Sequence, residues 1–124
     1  SLTAEMIEEL GTASFNTLDL PKETKIAVAQ YLVTSAQGCS AWVGAHVQGS
    51  QLLTFINTVE SKYLPNPFHN FAHAVDVEYS ICRYLKLIEA DSFLLDSQTF
   101  WLLIAAIAHD VGHLGVNNQY LVET

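Results

Sequence analysis

From Gln51 to Tyr63 the chain reads as one helix with a single buried face. Leu52, Phe55, Ile56 and Val59 fall at i, i+3, i+4 and i+7, while Asn57, Glu60 and Ser61 fall opposite. Similar spacing recurs before and after it. Met6, Ile7 and Leu10, set among Glu5, Glu8 and Glu9, predict a short amphipathic helix that Gly11 ends. Phe15, Leu18 and Leu20 then form an apolar strap suited to docking on a larger body. Pro21 suits the first turn of a helix in which Ile26, Ala29, Gln30 and Val33 recur, and which reaches about Ala36 before Gly38. The Gly-, Ser- and Ala-rich stretch at 38–50 fits a short helix or a loop over Cys39–His46 equally well. Pro65 and Pro67 break the Gln51–Tyr63 helix and push Leu64 and Asn66 towards extended backbone.

A further helix is predicted to start near His69 and stop near Glu89, with His73, Val77, Ile81 and Leu85 at intervals of four. Asp91–Ser97 connects it to Thr99–His109, and Asp96 or Ser97 is placed to cap that last helix. Thr99–His109 is apolar on nearly every side, which predicts the central buried helix. Gly112 and Gly115 give it an irregular exit into a final stretch over 116–124. No strand alternation, repeat or linker is visible. The expected fold is all-α, one multi-helix bundle of about five to seven helices within 1–124.

Composition narrows the function. Half of the 124 residues are apolar, enough for one sizeable core. Thirteen acidic residues against five basic ones give a formal charge of -8, which argues against nucleic acid and against an anionic membrane surface as partners. A small anionic substrate remains compatible with that charge if bound cations invert the local field. Cys39 and Cys82 lack CxxC spacing, and two thiols in a reducing, cytoplasmic setting is the reading they favour. The longest apolar run, Phe100–Ala108, is too short to span a bilayer. Any membrane association would have to come from segments outside these residues.

Four of the five histidines lie in two patches, N-P-F-H-N-F-A-H-A-V-D over 66–76 and A-A-I-A-H-D-V-G-H-L-G over 105–115. His69 and His73 stand four apart, so a helix through both would set them on one face. Such a pair can chelate one metal. Alternatively, one can bind metal while the other transfers protons, and spacing alone does not choose. His109 and Asp110 are adjacent and would diverge in a regular helix, but at a helix end both can reach one cation. Imidazole suits zinc, carboxylate suits zinc, magnesium or manganese, and two oxygens allow Asp110 to bridge two metals. Burying His69, His73, His109 and Asp110 together is costly without a cation or a full hydrogen-bond network. His46, isolated among Gly and Ala, reads as a structural or exposed residue.

The paired segments N-P-F-H-N-F-A-H-A-V-D-V (66–77) and A-H-D-V-G-H-L-G-V-N-N (108–118) resemble the class I cyclic-nucleotide phosphodiesterases, within the HD-domain superfamily of metal-dependent phosphohydrolases. The order and separation of the two motifs are those of the family. The resemblance implies a phosphodiesterase-like bundle in a parent enzyme that hydrolyses cAMP and/or cGMP to the 5′-monophosphate. It implies His73, His109 and Asp110 as metal ligands, with zinc at the tighter site and magnesium or manganese at the second. By the same resemblance His69 donates a proton to the leaving O3′, His113 sits behind the ligands orienting water or the second cation, and Asn70 and Asp76 are supporting polar residues.

Phe68 stands where many family members have tyrosine, and Gly112 and Leu114 where the family often has an acidic residue and proline. Family domains also run much further. They take a fourth ligand, an aspartate, and a purine-binding glutamine from later helices. The chain is therefore expected to be the N-terminal part of a catalytic domain, inactive by itself. It is expected to expose surface meant for the missing C-terminal helices and so to self-associate as a homo-oligomer, swap segments or be unstable. Two rivals to this reading are another HD-type phosphohydrolase and a non-catalytic helical module that holds a structural metal or a partner.

Overall fold

A computed structural model describes residues 2–12, 15–36, 40–64 and 70–111. Six α-helices and one 3-10 turn run through them: α1 (Ala4–Leu10), α2 (Lys22–Ser35), α3 (Ser40–His46), α4 (Gly49–Lys62), α5 (Phe71–Leu87), the turn Ala90–Ser92, and α6 (Asp96–Ala108). No strand occurs among the described residues, so the all-α expectation holds.

The short first helix forms where expected. Thr3 Oγ1 caps it by accepting from the Met6 amide at 3.1 Å, and the Gly11 amide closes it on the Glu8 carbonyl at 3.1 Å. The strap after it docks on α5 with Phe15 and Thr17 buried, but Leu18 points to solvent. Three polar contacts hold this junction. Thr17 Oγ1 donates to Asp76 Oδ1 at 2.9 Å, the Tyr79 hydroxyl donates to the Thr12 carbonyl, and Arg83 Nη1 donates to the Gly11 carbonyl at 2.6 Å. The described part of the undecided stretch, residues 40–50, forms α3 and the start of α4. Within α3, His46 stacks on Trp42 with ring centroids 4.6 Å apart and its Nδ1 lies 2.9 Å from the Trp42 carbonyl.

The core forms where α2, α4, α5 and α6 converge. Val28, Ala29, Val33, Ile56, Ala74, Val75, Leu103 and Ile107 are wholly shielded from solvent, and α5 lies along α6 in the most extensive helix pairing. Burying a Val, Leu or Ile side chain contributes about 1.5–3 kcal/mol, so these positions dominate cohesion.

Four expectations need correction. Phe55, placed on the buried face of α4, is exposed at the rim of a groove with Trp42 and Trp101, because Leu52, Ile56 and Val59 already fill the contact with α2. Helix α6 starts three residues before Thr99. Neither Asp96 nor Ser97 caps it; the Gln98 side chain instead accepts from the Leu95 amide at 2.8 Å. Nor is α6 enclosed. Thr99, Phe100, Leu103, Ala106 and Ile107 face inward, while Trp101 is 61% exposed and Leu102 40%. Apolar sequence on all sides gives no preferred direction, and the packing of α5 selects one side. Helix α5 begins at Phe71 with Asn70 as its cap, near the expected start.

At the far end of α5, Glu89 takes the left-handed conformation (φ 52°), a position usually given to glycine because a Cβ crowds the backbone there. Midway along α5, Glu78 is entirely buried and neither carboxylate oxygen has a hydrogen-bond partner among the described residues. Burial raises its pKa well above the usual value. The folded state then holds a proton that the unfolded state releases, so stability is greatest below the unfolded carboxylate range and falls as pH rises towards the folded pKa. Replacing Glu78→Met is expected to raise stability at neutral pH by about 1–3 kcal/mol, the usual cost of an unsatisfied buried polar group. The replacement also flattens the pH dependence, as read by urea unfolding at pH 5 and pH 8.

Candidate metal centre

The segment before α5 carries proline at 65 and 67, and the helix restarts only where a side chain satisfies its first turn. Asn70 supplies that cap: its Oδ1 accepts from the His73 amide at 2.9 Å. His73 therefore sits at the third position of α5, its backbone fixed by the cap and its neighbours Ala74 and Val75 fully buried. The side chain emerges at the rim, 38% exposed.

Across from it, α6 runs out at Ala108. His109 keeps near-helical backbone (φ -62°, ψ -28°), and Asp110 enters a turn closed by the Val111 amide on the Ala108 carbonyl at 3.2 Å. This exit lets two adjacent side chains converge. His109 Nε2 and Asp110 Oδ2 are 3.0 Å apart, and His73 Nε2 lies 4.0 Å from the same oxygen. The His73 and His109 rings face each other at 5.7 Å between centroids. One donor atom from each of the three residues falls within a 4.8 Å set. His69 and His113 lie outside the described residues.

Hydrogen bonding shows what this set accommodates. His109 Nδ1 lies 2.6 Å from the Ala106 carbonyl, which can only accept, so Nδ1 carries the proton. In neutral imidazole Nε2 is then a bare lone pair, facing a carboxylate oxygen 3.0 Å away. Two acceptors at that distance repel unless a proton or a cation lies between them. Ring nitrogen and carboxylate oxygen bind zinc at about 2.0–2.2 Å, so a pair 3.0 Å apart fits one ion. The 4.8 Å limit of the set is wider than two bonds of about 2.1 Å can span. The rings must rotate inward on loading, and both are exposed enough to do so.

Tyr63, unremarked in the sequence except as a helix end, proves central. It follows α4 directly, its ring is buried against Phe71, and its hydroxyl reaches the exit of α6. There it donates to the Ile107 carbonyl at 2.7 Å and accepts from the Asp110 amide at 3.2 Å. One hydroxyl thus satisfies a carbonyl and an amide that the helix end leaves over. Burial raises the Tyr63 pKa, the Asp110 amide opposes that rise, and the Asp110 charge adds to it. The hydroxyl stays protonated and able to donate. Nothing in the local sequence marks this role, because the partner lies 44 residues away. Tyr63→Phe keeps the ring but strands both backbone groups. It is expected to cost about 1–3 kcal/mol in thermal or chemical unfolding.

Comparisons with known proteins converge on this segment. Residues 68–124 match the family model described as 3′5′-cyclic nucleotide phosphodiesterase. A "cGMP-specific 3′,5′-cyclic phosphodiesterase delta" of Plasmodium falciparum is 40% identical over 74 residues, covering 60% of this chain and 9% of that protein. A "3′,5′-cyclic-nucleotide phosphodiesterase 2" of Saccharomyces cerevisiae is 43% identical over 76 residues, covering 60% of this chain and 14% of that protein. A "cGMP-specific 3′,5′-cyclic phosphodiesterase" of Drosophila virilis is 30% identical over 79 residues, 64% of this chain and 9% of that protein. The chain spans about a tenth of the length of these relatives. Family match and relatives fall on the segment that carries the histidine motifs, and through residues 68–124 the chain is similar to the 3′5′-cyclic nucleotide phosphodiesterases.

Proposed function

We propose that residues 1–124 are the N-terminal part of one catalytic domain of an enzyme that hydrolyses cAMP and/or cGMP to the 5′-monophosphate. His73, His109 and Asp110 are three of its metal ligands. The observation that carries this reading is the convergence of three donor atoms, from α5 and the exit of α6, within 4.8 Å, with His109 Nε2 and Asp110 Oδ2 3.0 Å apart. The family match and relatives named as cyclic-nucleotide phosphodiesterases support the substrate class.

The ions assigned are zinc at the tighter position and magnesium or manganese at the second. Ions held by His73, His109 and Asp110 would supply Lewis-acid polarisation of the phosphodiester and a lowered pKa for bound water. The remaining work belongs to the chain. Ala106 holds the His109 ring in the tautomer whose Nε2 is available. Asp110 would share in holding both cations, and Tyr63 steadies the backbone that carries it. Asn70 fixes the turn that carries His73. His69 is assigned as the acid that protonates the leaving O3′, and His113 as a residue behind the ligands that orients water or the second cation. Further helices of the same domain complete the site, so the chain by itself is assigned little activity.

Zinc titration of the chain is expected to show binding that His73→Ala and Asp110→Ala each weaken by at least about tenfold, the smallest loss usual for outer partners of a metal site. Equal affinity in the variants would remove the ligand assignment. With zinc and magnesium added, the chain is expected to turn over cAMP and cGMP near background. Rates of about 1–1000 s⁻¹, ordinary for a complete enzyme, would refute the claim that the site is incomplete. In the parent protein, His69→Ala is expected to abolish turnover while metal content is retained. Metal lost with turnover intact would instead favour a structural metal module.

A further inference from the structure

A second cavity, of about 350 Å³, opens where α1, α2 and α5 meet. It shares no residue with the metal cluster. Ile7, Leu10, Leu32 and Ala36 give it an apolar floor, and Arg83 and Lys86 stand on its lip. The two cations are three residues apart on α5, on one face of that helix.

Their placement is unusual for this protein. The chain has five basic residues against thirteen acidic ones, yet among the described residues the ten lining this groove include two basic side chains and no carboxylate. Arg83 is held in place by its bond to the Gly11 carbonyl at 2.6 Å, which uses one of its five N–H donors. Lys86 is exposed and forms no ion pair among the described residues. A positive lip over an apolar floor selects a ligand that is anionic at one end and greasy at the other. The volume lies at the low end of the range for small-molecule sites, about 300–1,000 Å³, so the ligand is small.

We propose that this groove binds a small anionic amphiphile, an alkyl chain ending in one carboxylate, with the head between Lys86 and Arg83 and the tail over Ile7, Leu10 and Leu32. A single negative charge matches one unengaged ammonium and one guanidinium already committed to a carbonyl. Contact with α1, α2 and α5 together lets such a ligand clamp the amino-terminal helix onto the bundle.

The probe is decanoate, titrated into the chain and followed by methyl chemical shifts. Saturable shifts are expected at Ile7, Leu10 and Leu32. Lys86→Gln is expected to weaken binding by about tenfold, the low end of what losing a charge-assisted contact causes, without changing the melting temperature. Decanol, with the same tail and no charge, is expected to bind about tenfold more weakly for the same reason. Ile7→Trp, a change at an exposed position, fills the groove and is expected to abolish the shifts, with folding verified by circular dichroism.

The two tryptophans give an independent control. Trp42 and Trp101 both line a different groove, beside Phe55 and Phe100, so their fluorescence is expected to stay constant. Equal affinity for decanol, indifference to Lys86→Gln, quenching of tryptophan in place of the methyl shifts, or no saturation at millimolar decanoate would each overturn the proposal.

Discussion

The packing of α5 along α6 is the constraint from which the site follows. Each candidate ligand is tied to that interface by a near neighbour in sequence. His73 is followed by Ala74 and Val75, and His109 comes two residues after Ile107, all three of these neighbours fully buried. The histidines occupy the rim because their neighbours occupy the interior. Separation of the donor atoms is thus set by apolar contacts that carry no chemistry, and a lost methylene in that interface would be felt at the rim. The end of α6 matters equally. Had the helix continued regularly, His109 and Asp110 would diverge; its termination at Ala108, under the hydroxyl of Tyr63, lets them meet.

Much of this was legible in the sequence. The all-α class, the helices before and after the double proline, and the inward face of α4 at Leu52, Ile56 and Val59 follow from spacing alone. So does the chemical character of His73, His109 and Asp110, since imidazole and carboxylate crowded behind apolar sequence imply a cation or a network. What sequence misjudged shares one cause. Phe55 and the outer face of α6 are apolar yet exposed, and Asp96 and Ser97 are good caps left unused. Local pattern ranks candidates for burial or capping, whereas tertiary packing decides among them when more candidates exist than places. Tyr63 escaped notice for the opposite reason: its role is defined wholly by groups that approach it from another helix.

Glu78 runs against the general rule that buried polar groups find partners. It lies on the same helix as His73 and in the same buried interior as Leu103 and Ile107, with both oxygens unanswered among the described residues. Helix α5 therefore combines the capped start that carries His73 with a destabilising group about two turns further along. The same helix also buries Val75, Tyr79 and Leu85, whose apolar burial offsets part of that cost.

The three donors come from the first turn of one helix and the last residues of another, not from a single loop. If these donors hold a cation, as proposed, it would staple α5 to the exit of α6, and by linkage its binding would stabilise that pair. Occupancy and fold stability then become one thermodynamic quantity. With metal so bound, a chelator would act as a mild denaturant, and any change that loosens the two helices would register first as a weaker grip on that metal.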